Sequence, residues 1–487
     1  MSDNINRPQK NKLVSGLFWK FSERILAQII SFIVSIVLSR LLLPDEFGIV
    51  ALMMVFINIA NVFVTSGFGT ALVQNKQAND TDYSTIFFCS LGMSLIIYAC
   101  LFLAAPLIAD FYRIPELTLV LRVISLTILL SSVSTVQHAY VQRNMIFRKF
   151  FFSTLIGTII SGVVGIIMAL NGFGVWALVA QSFTNTIVDT AVLFVTVPWR
   201  PKLVFSRTSA GKMLGFGWKV LAADLFGTFF DQLQSLIVGR VYTSADLAYY
   251  NKGKNLPDLI SVNISATVMT VLFPAISNVN DEKEKVKLMT RSSIKMMAFV
   301  MFPLLFGLAA VAKPLVIVLF SDVWKDSIPF VQILSVAAVI NLIGNVSLQT
   351  MKATGRSGLL LKLEFIKKPV YLALLIIGIR ISVLAVAITR LIYALYSSLI
   401  NAAQMKGMID YNYIEQLSDI FFPLFLSLLM IAAIYPITLL NVNNILILIL
   451  QVICGAAIYI GVSAAKKEPP FLALLSILKR GGNKEEQ

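Results

Sequence analysis

Polar and charged side chains recur at helical spacing inside stretches that are otherwise apolar. The first stretch has a stripe whose members follow one another by three or four positions and therefore share one helix face: Lys20, Arg24, Gln28, Ser31, Ser35 and Ser39. An arginine at the centre of a bilayer costs about 2.5–3.5 kcal/mol on insertion scales. The stripe is therefore expected to face water or a polar partner. Arg24 and Lys20 suit an anionic ligand, since a guanidinium can bind two phosphate oxygens at once.

Further apolar stretches carry shorter stripes of amides, hydroxyls and one more arginine. Several polar faces on different helices favour a solvated cavity over a dry bundle. The stripes together predict nine substrate-binding residues: Lys20, Arg24, Gln28, Asn58, Asn61, Gln181, Asn185, Arg390 and Asn401. For three of them a role outside substrate binding stays open, because Arg24 can pair with Glu23, and Lys20 and Arg390 can reach the lipid headgroups.

Three carboxylates, Asp189, Asp224 and Asp231, also lie within apolar stretches. They can couple transport to a proton or sodium gradient, or they can neutralise nearby cations such as Lys219. We expect the only histidine, His138, to form a structural hydrogen bond.

Other site chemistry has little support in the sequence. One histidine and three scattered cysteines predict no metal site, no disulfide framework and no cofactor. No nucleophile, base or metal constellation is recognisable, so no catalytic residue is predicted and the protein is not expected to be an enzyme.

The elements that position these residues are transmembrane helices. Of the 487 residues, 57% are hydrophobic and 13% charged, and the mean hydropathy is +0.83. These values exclude a soluble domain and predict an all-α polytopic membrane protein. At about 20 residues per span, the sequence predicts about fourteen helices. Their limits are 14–42, 46–74, 83–108, 117–142, 151–170, 174–197, 213–240, 246–273, 288–312, 328–353, 358–379, 382–406, 416–439 and 443–464.

The basic residues indicate topology and not nucleic-acid binding. The net charge is +15, but the Lys and Arg residues are dispersed between apolar segments. About 30 of them fall on the side of the N-terminus and about 10 on the other side, which predicts cytoplasmic termini and an even number of spans. The start resembles a signal peptide but is followed by Lys20, Glu23 and Arg24, so we expect the first helix to be retained.

An internal repeat divides the chain. The residues 16–20 (GLFWK) reappear as 215–219 (GFGWK), and 44–48 (PDEFG) is echoed by 245–249 (ADLAY). Because the offset spans six helices, both copies have the same orientation. We expect two six-helix lobes around a central cavity, with an N-lobe at 1–205 and a C-lobe at 206–410. Two additional helices at 411–465 and a cytoplasmic basic tail at 466–487 complete the predicted chain.

Several stretches across both lobes resemble one family. They are 43–50 (LPDEFGIV), 142–149 (QRNMIFRK), 174–181 (GVWALVAQ), 231–240 (DQLQSLIVGR), 249–250 (YY) and 273–277 (FPAIS). The chain resembles the Wzx-type polysaccharide flippases of the multidrug, oligosaccharidyl-lipid and polysaccharide exporter superfamily, in their colanic-acid-exporter-like branch. The resemblance implies a bacterial inner-membrane carrier that moves undecaprenyl-diphosphate-linked oligosaccharide to the periplasmic leaflet. The expected partners are this lipid-linked oligosaccharide, membrane lipids and polysaccharide polymerase machinery, with no nucleic acid, and the protein is expected to be a monomer.

Other functions remain open at this stage. A multidrug exporter of the same superfamily would handle small organic cations, which the basic stripe of the first helix disfavours. A peptidoglycan-precursor flippase would use the same cationic residues for its anionic substrate. A membrane-embedded glycan polymerase or ligase would need catalytic residues on a sizeable external loop, and an ion channel would need a repeated filter sequence.

Overall fold

The protein is helical throughout the residues described by the computed structural model, which are 7–74 and 78–482. The first half contains α1 (Arg7–Leu41), α2 (Pro44–Gln74), α3 (Asp80–Tyr112), α4 (Leu117–Ile124), α5 (Leu126–Arg143), α6 (Arg148–Leu170), α7 (Val175–Thr196), α8 (Arg207–Val241) and α9 (Ser244–Ser277). The second half contains α10 (Lys283–Ala310), α11 (Ala312–Phe320), α12 (Ile328–Ala353), α13 (Ser357–Ile379), α14 (Val383–Ile409), α15 (Tyr413–Ile434), α16 (Asn444–Ala465) and α17 (Pro469–Gly482). Short 3₁₀ segments cover Asp322–Ser327 and Tyr435–Leu439.

Twelve of the described helices are long and apolar enough to cross a membrane. One of these spans joins α4 and α5 across a break at Ser125, inside the helix predicted at 117–142. Two further long helices, α8 with 35 residues and α13 with 23 residues, are not among these twelve. With them, the described residues contain fourteen long helical segments, which is the predicted number. The all-α polytopic fold is therefore confirmed.

The chain divides into two compact units, Met1–Ala248 and Tyr249–Gln487. In the first unit, α8 packs against α2 and α3, although the repeat assigned residues 206–241 to the second lobe. The lobe limits at 205 and 410 stay a prediction. The residues Ala312–Phe320 form the separate short helix α11.

Two prolines inside helices leave backbone carbonyls that other helices satisfy. A proline has no N–H, so the carbonyl four residues before it loses its helical partner, which is costly in lipid. Before Pro106, the freed Phe102 carbonyl accepts a hydrogen bond from Arg122 Nε at 3.2 Å. Before Pro303, the freed Phe299 carbonyl accepts one from the Tyr459 hydroxyl at 2.8 Å. Each proline-containing turn is therefore bonded to a second helix.

The two copies of the internal repeat have the same local structure at the starts of α2 and α9. Glu46 Oε2 accepts a hydrogen bond from the backbone N–H of Leu43 at 2.7 Å. Asp246 Oδ2 accepts one from the backbone N–H of Thr243 at 3.1 Å. Each carboxylate satisfies an N–H three residues earlier, at a helix end where the dipole favours negative charge.

These two helix starts also contact each other. The Asp45 side chain accepts a hydrogen bond from the backbone N–H of Ala245 at 3.0 Å. Gly48 lies so close to the Ser244 backbone that a Cβ at this position would be 1.9 Å from the Ser244 carbonyl oxygen. A side chain at position 48 would therefore push the helix ends apart.

A buried carboxylate fastens α15 to α10 in the second unit. Asp419 accepts hydrogen bonds from Arg291 at 2.5 and 2.9 Å and from the Tyr411 hydroxyl at 2.8 Å, and it lies 3.1 Å from Lys295. Burial of the phenol, together with its bond to Asp419, raises the pKa of Tyr411. The tyrosine therefore stays a neutral donor, and the additional C-terminal helices are anchored to the rest of their unit.

The predicted basic tail at 466–487 contains a helix instead of only solvated chain. In α17, Phe471 and Leu474 pack against a cluster that includes Phe299 and Tyr459. The last five residues of this tail, like the first six residues of the chain, lie outside the described residues.

We predict that Gly48→Ala lowers the stability of the protein, because the added methyl group cannot fit beside Ser244 without moving backbone. Overpacking of this kind costs typically about 1–3 kcal/mol. The measurement is the thermal unfolding midpoint of the purified protein in detergent. The control is Gly227→Ala on α8, where a Cβ would meet no atom within 4 Å. Equal midpoints for the two variants would show that this contact does not constrain the helix ends.

Candidate functional site

The first unit contains a polar cavity of about 600 Å³ between α2, α5, α6 and α7. Hydroxyls, amides and two titratable groups line much of it, and the lining includes Thr65, Ser134, His138, Thr154, Asn185 and Asp189. Small residues give the helices room, since Gly157 on α6 contacts the Asn185 side chain. The stripes of the second and sixth predicted helices therefore meet in one place.

A histidine and a carboxylate form a pair at the wall of this cavity. His138 Nε2 lies 3.2 Å from Asp189 Oδ2, with side-chain exposures of 40% and 23%, so both groups remain accessible to water in the cavity. The imidazole stacks on the Phe150 ring at a centroid distance of 4.9 Å. The expected structural hydrogen bond of His138 is present, but it is made to a residue predicted for ion coupling or charge balance.

The cationic start of α1 reaches the same region. Lys20 Nζ lies 3.3 Å from Glu23 and 5.1 Å from the centroid of the Phe150 ring, on which His138 also stacks. Glu23 in turn accepts a hydrogen bond from the cavity-lining Thr154 at 3.1 Å. The predicted substrate residue Lys20 is therefore connected to the cavity through both an ion pair and an aromatic ring.

The other stripe residues of the first unit have varied surroundings. Arg24 and Asn58 are exposed, and Gln28 and Gln181 are half-buried. Asn61 is half-buried, and its Oδ1 is a buried atom without a hydrogen bond to any described residue. Asp224 and Asp231 are exposed on α8 and do not line the cavity. Asp189 is thus the only one of the three predicted carboxylates that the structure places in the cavity.

The second unit has its own, smaller polar cavity of about 180 Å³ between α9, α10, α12 and α14. Its lining includes the predicted Arg390 together with Lys254, Asp258, Asn341 and Asn345, which the sequence analysis did not select. Lys254 and Asp258 are four positions apart in the sequence, so they lie on one face of α9. The presence of Lys254 and Asp258 at this spacing, within an otherwise apolar helix, could have identified this cavity from the sequence.

The predicted residue Asn401 lies inside the second unit and not in this cavity. It is 4% exposed. Its amide accepts a hydrogen bond from the buried Lys367 at 3.3 Å and donates one to the Gly344 carbonyl at 3.3 Å. Its polar atoms therefore serve helix packing, while Lys367 is neutralised by Glu364 at 2.6 Å.

An apolar groove of about 460 Å³ lies among α9, α10, α11, α15 and α16. Its walls include Leu304, Leu308, Val452 and Ile460, with Gln451 as the one amide in its lining. The Gln451 side chain donates to the Ile434 carbonyl at 3.2 Å. The groove is suited to hydrocarbon and offers little to a sugar.

Histidine, cysteine and carboxylate side chains do not form metal-type clusters in the part of the chain that the structure describes. No cluster of three or more histidine, cysteine, aspartate or glutamate side chains occurs among these residues. Cys89, Cys100 and Cys454 are free thiols.

Many membrane-crossing helices with polar cavities inside them define a multi-pass membrane protein of the carrier type. The chain belongs to the polysaccharide biosynthesis protein family, whose model matches residues 37–329. It is 25% identical over 331 residues to the succinoglycan biosynthesis transport protein ExoT of Rhizobium meliloti, covering 68% of this chain and 67% of that protein. It is 22% identical over 429 residues to the lipopolysaccharide biosynthesis protein WzxC of Escherichia coli, covering 86% of each.

A solved structure shares the fold. The lipid II flippase MurJ in an inward closed conformation superposes with a TM-score of 0.76 at 15% identity, covering 92% of this chain and 98% of that chain. This structural similarity concerns the fold, while the family match and the two sequence relatives confirm the resemblance drawn from the sequence motifs.

We predict that the cavity of the first unit is hydrated. In a background with the three native cysteines replaced by serine, Asn185→Cys should react with a water-soluble maleimide at least about tenfold faster than Ile160→Cys, because thiolates form in water and not in hydrocarbon. Ile160 is an exposed apolar residue of the membrane-crossing helix α6. The readout is the labelling rate in intact membranes, and equal rates would mean that the cavity is closed to water.

Proposed function

We propose that the protein is a bacterial inner-membrane flippase for surface polysaccharide biosynthesis. It moves undecaprenyl-diphosphate-linked oligosaccharide from the cytoplasmic to the periplasmic leaflet by alternating access, and it is a carrier and not an enzyme. The observation that carries this proposal is the connection of the cationic end of α1 to a large hydroxyl-lined cavity in a membrane-spanning bundle.

The described surfaces match the three parts of such a cargo. Sugars need many hydrogen-bonding groups, which the 600 Å³ cavity provides. A diphosphate needs cations, and Lys20 and Arg24 are exposed on successive turns of α1. A polyprenyl chain needs apolar surface, which the groove beside α15 and α16 offers. Family membership and the named transport relative ExoT support the same function.

The rival functions fit less well. A small organic cation would meet Lys20 and Arg24 as like charges. A polymerase would require a catalytic set, and the polar groups of the described cavities suit binding. We propose that both termini are cytoplasmic, that the protein acts as a monomer among membrane lipids, and that polysaccharide polymerase machinery receives its product.

We predict that Arg24→Ala abolishes polysaccharide export while the protein still inserts into the membrane, because the phosphate charge loses its bidentate partner. Export should fall at least about tenfold, since a charged hydrogen bond contributes about 1.5–3 kcal/mol. The measurement is surface polysaccharide in a deletion strain complemented with each variant, together with protein levels in membranes.

The matched control is Arg207→Ala, which removes an exposed arginine at the start of α8. It should export normally. Arg24→Lys should keep part of the activity. Normal export by Arg24→Ala would remove this arginine from the substrate site, and polysaccharide intermediates accumulating at the periplasmic face of a deletion strain would indicate a polymerase instead of a flippase.

We propose that transport is coupled to a proton exchanged at the His138–Asp189 pair, and not to sodium. An imidazole and a carboxylate can each bind and release one proton. Other titratable or charged groups near the pair are Glu23 and Lys20, which neutralise each other at 3.3 Å. Protonation of His138 therefore changes the net charge of this cavity wall.

We predict that Asp189→Asn and His138→Gln uncouple transport from the pH gradient. In proteoliposomes, an imposed pH gradient should drive the wild-type protein, and the variants should show the same slow rate with and without it. Asp224→Asn on α8 is the control and should behave as wild type. Acceleration by a sodium gradient at constant pH would contradict proton coupling.

A further inference from the structure

The smaller cavity in the second unit combines opposite charges with amides and hydroxyls. Arg390 on α14 faces Lys254 and Asp258 on α9, and Asn341 and Asn345 on α12 complete the polar part of the wall. All five residues lie within Tyr249–Gln487. They also lie within helices that cross the membrane. Charged side chains at such positions usually mark a binding site or a transport pathway.

Two of the charged groups act on each other across the cavity without direct contact, since Asp258 interacts electrostatically with Arg390 and with Lys254. Within the described residues, neither Arg390 nor Asp258 has a hydrogen bond or an ion-pair partner within 4 Å. The contrast is Asp419 in the same unit, which is bound by four donor atoms. Charges held apart around a cavity remain available to a ligand.

The charge of the cavity limits the charge of that ligand. Two cations and one carboxylate leave one net positive charge, which a single negative charge balances. A diphosphate carries more than one negative charge, and Asp258 would repel it. In a membrane interior such an imbalance is costly, because charges are weakly screened there.

The neutral groups select for hydroxyls. Asp258, Asn341 and Asn345 can all accept hydrogen bonds from hydroxyl groups, and the asparagines can also donate. Ser261 and Ser265 add two further hydroxyls to the wall. The volume of about 180 Å³ corresponds to about six water molecules at ~30 Å³ each. That space suits one sugar ring better than an oligosaccharide.

We propose that this cavity binds one monoanionic sugar residue of the uronic acid type, carried by the glycan that the protein transports. Arg390 and Lys254 bind the sugar carboxylate, and Asp258 and the asparagines bind its hydroxyls. The site thereby distinguishes acidic from neutral glycans. This inference rests on the proposed flippase function, whose cargo it specifies.

The test is ligand-observed NMR with the purified full-length protein carrying K20A and R24A, which removes the cations proposed for the diphosphate, and with three probes: methyl β-D-glucuronide, methyl β-D-glucoside and inorganic pyrophosphate. We expect the glucuronide to bind at least about tenfold more tightly than the glucoside, which corresponds to about 1.4 kcal/mol. Pyrophosphate should bind less tightly than the glucuronide. Equal binding of glucuronide and glucoside, or stronger binding of pyrophosphate, would overturn the proposal.

Two variants locate the binding. R390Q should remove the preference for glucuronide over glucoside. D258N should shift the preference towards pyrophosphate, because it raises the net charge of the cavity and removes the repulsion. R380Q is the matched control, since Arg380 is exposed at the end of α13. If R390Q does not fold, the order of the three probes on the protein carrying K20A and R24A, and its reversal when D258N is added, still decide the question.

Export assays separate this inference from the proposed function. In cells that make repeat units with and without an acidic sugar, R390Q should lose export of the acidic repeat unit and keep export of the neutral one. Equal export of both by R390Q would contradict the acidic-sugar site and leave the flippase intact. A wild-type protein that restores neither product to a deletion strain would contradict the flippase function itself.

Discussion

The hydrocarbon interior of a bilayer offers no hydrogen-bond partners, and the rest of this structure depends on that constraint. Every backbone group must be satisfied within the protein, which is why the described chain is a set of long helices. At two of the prolines inside helices a side chain supplies the missing bond: Arg122 donates to the Phe102 carbonyl and Tyr459 to the Phe299 carbonyl. Asp419 is similarly saturated by its donors. Further polar and charged side chains line the two polar cavities.

The two polar cavities differ in their charge and in their room. The larger one has a histidine and a carboxylate paired with each other, and many hydroxyls around them. The smaller one holds an arginine and a carboxylate that remain apart. The first arrangement favours exchange of a small ion together with loose contacts to sugars, and the second favours recognition of one charged group. A carrier for a charged, hydroxylated and lipid-linked molecule requires both kinds of chemistry.

Helix positions and one-sided stripes could be predicted from the sequence, because both follow from local periodicity. The limits of α2, α7 and α16 agree with the predicted 46–74, 174–197 and 443–464 to within a few residues. Partners distant in sequence could not be predicted. His138 and Asp189 are 51 residues apart, and no local pattern indicates that their side chains meet. Asn401 sits on a polar stripe, yet its amide is used by Lys367. Periodicity identifies a face but not what the face contacts.

The hydrogen bond from Tyr459 to the Phe299 carbonyl has a consequence for how the sequence can change over time. Pro303 creates the unpaired carbonyl, and a tyrosine more than 150 positions away satisfies it. A lineage that lost the proline would restore the ordinary helical bond and release the tyrosine from selection. A lineage that lost the tyrosine first would carry an unsatisfied buried carbonyl until the proline also changed. These two positions should therefore be exchanged together among distant relatives, with loss of the proline as the easier first step.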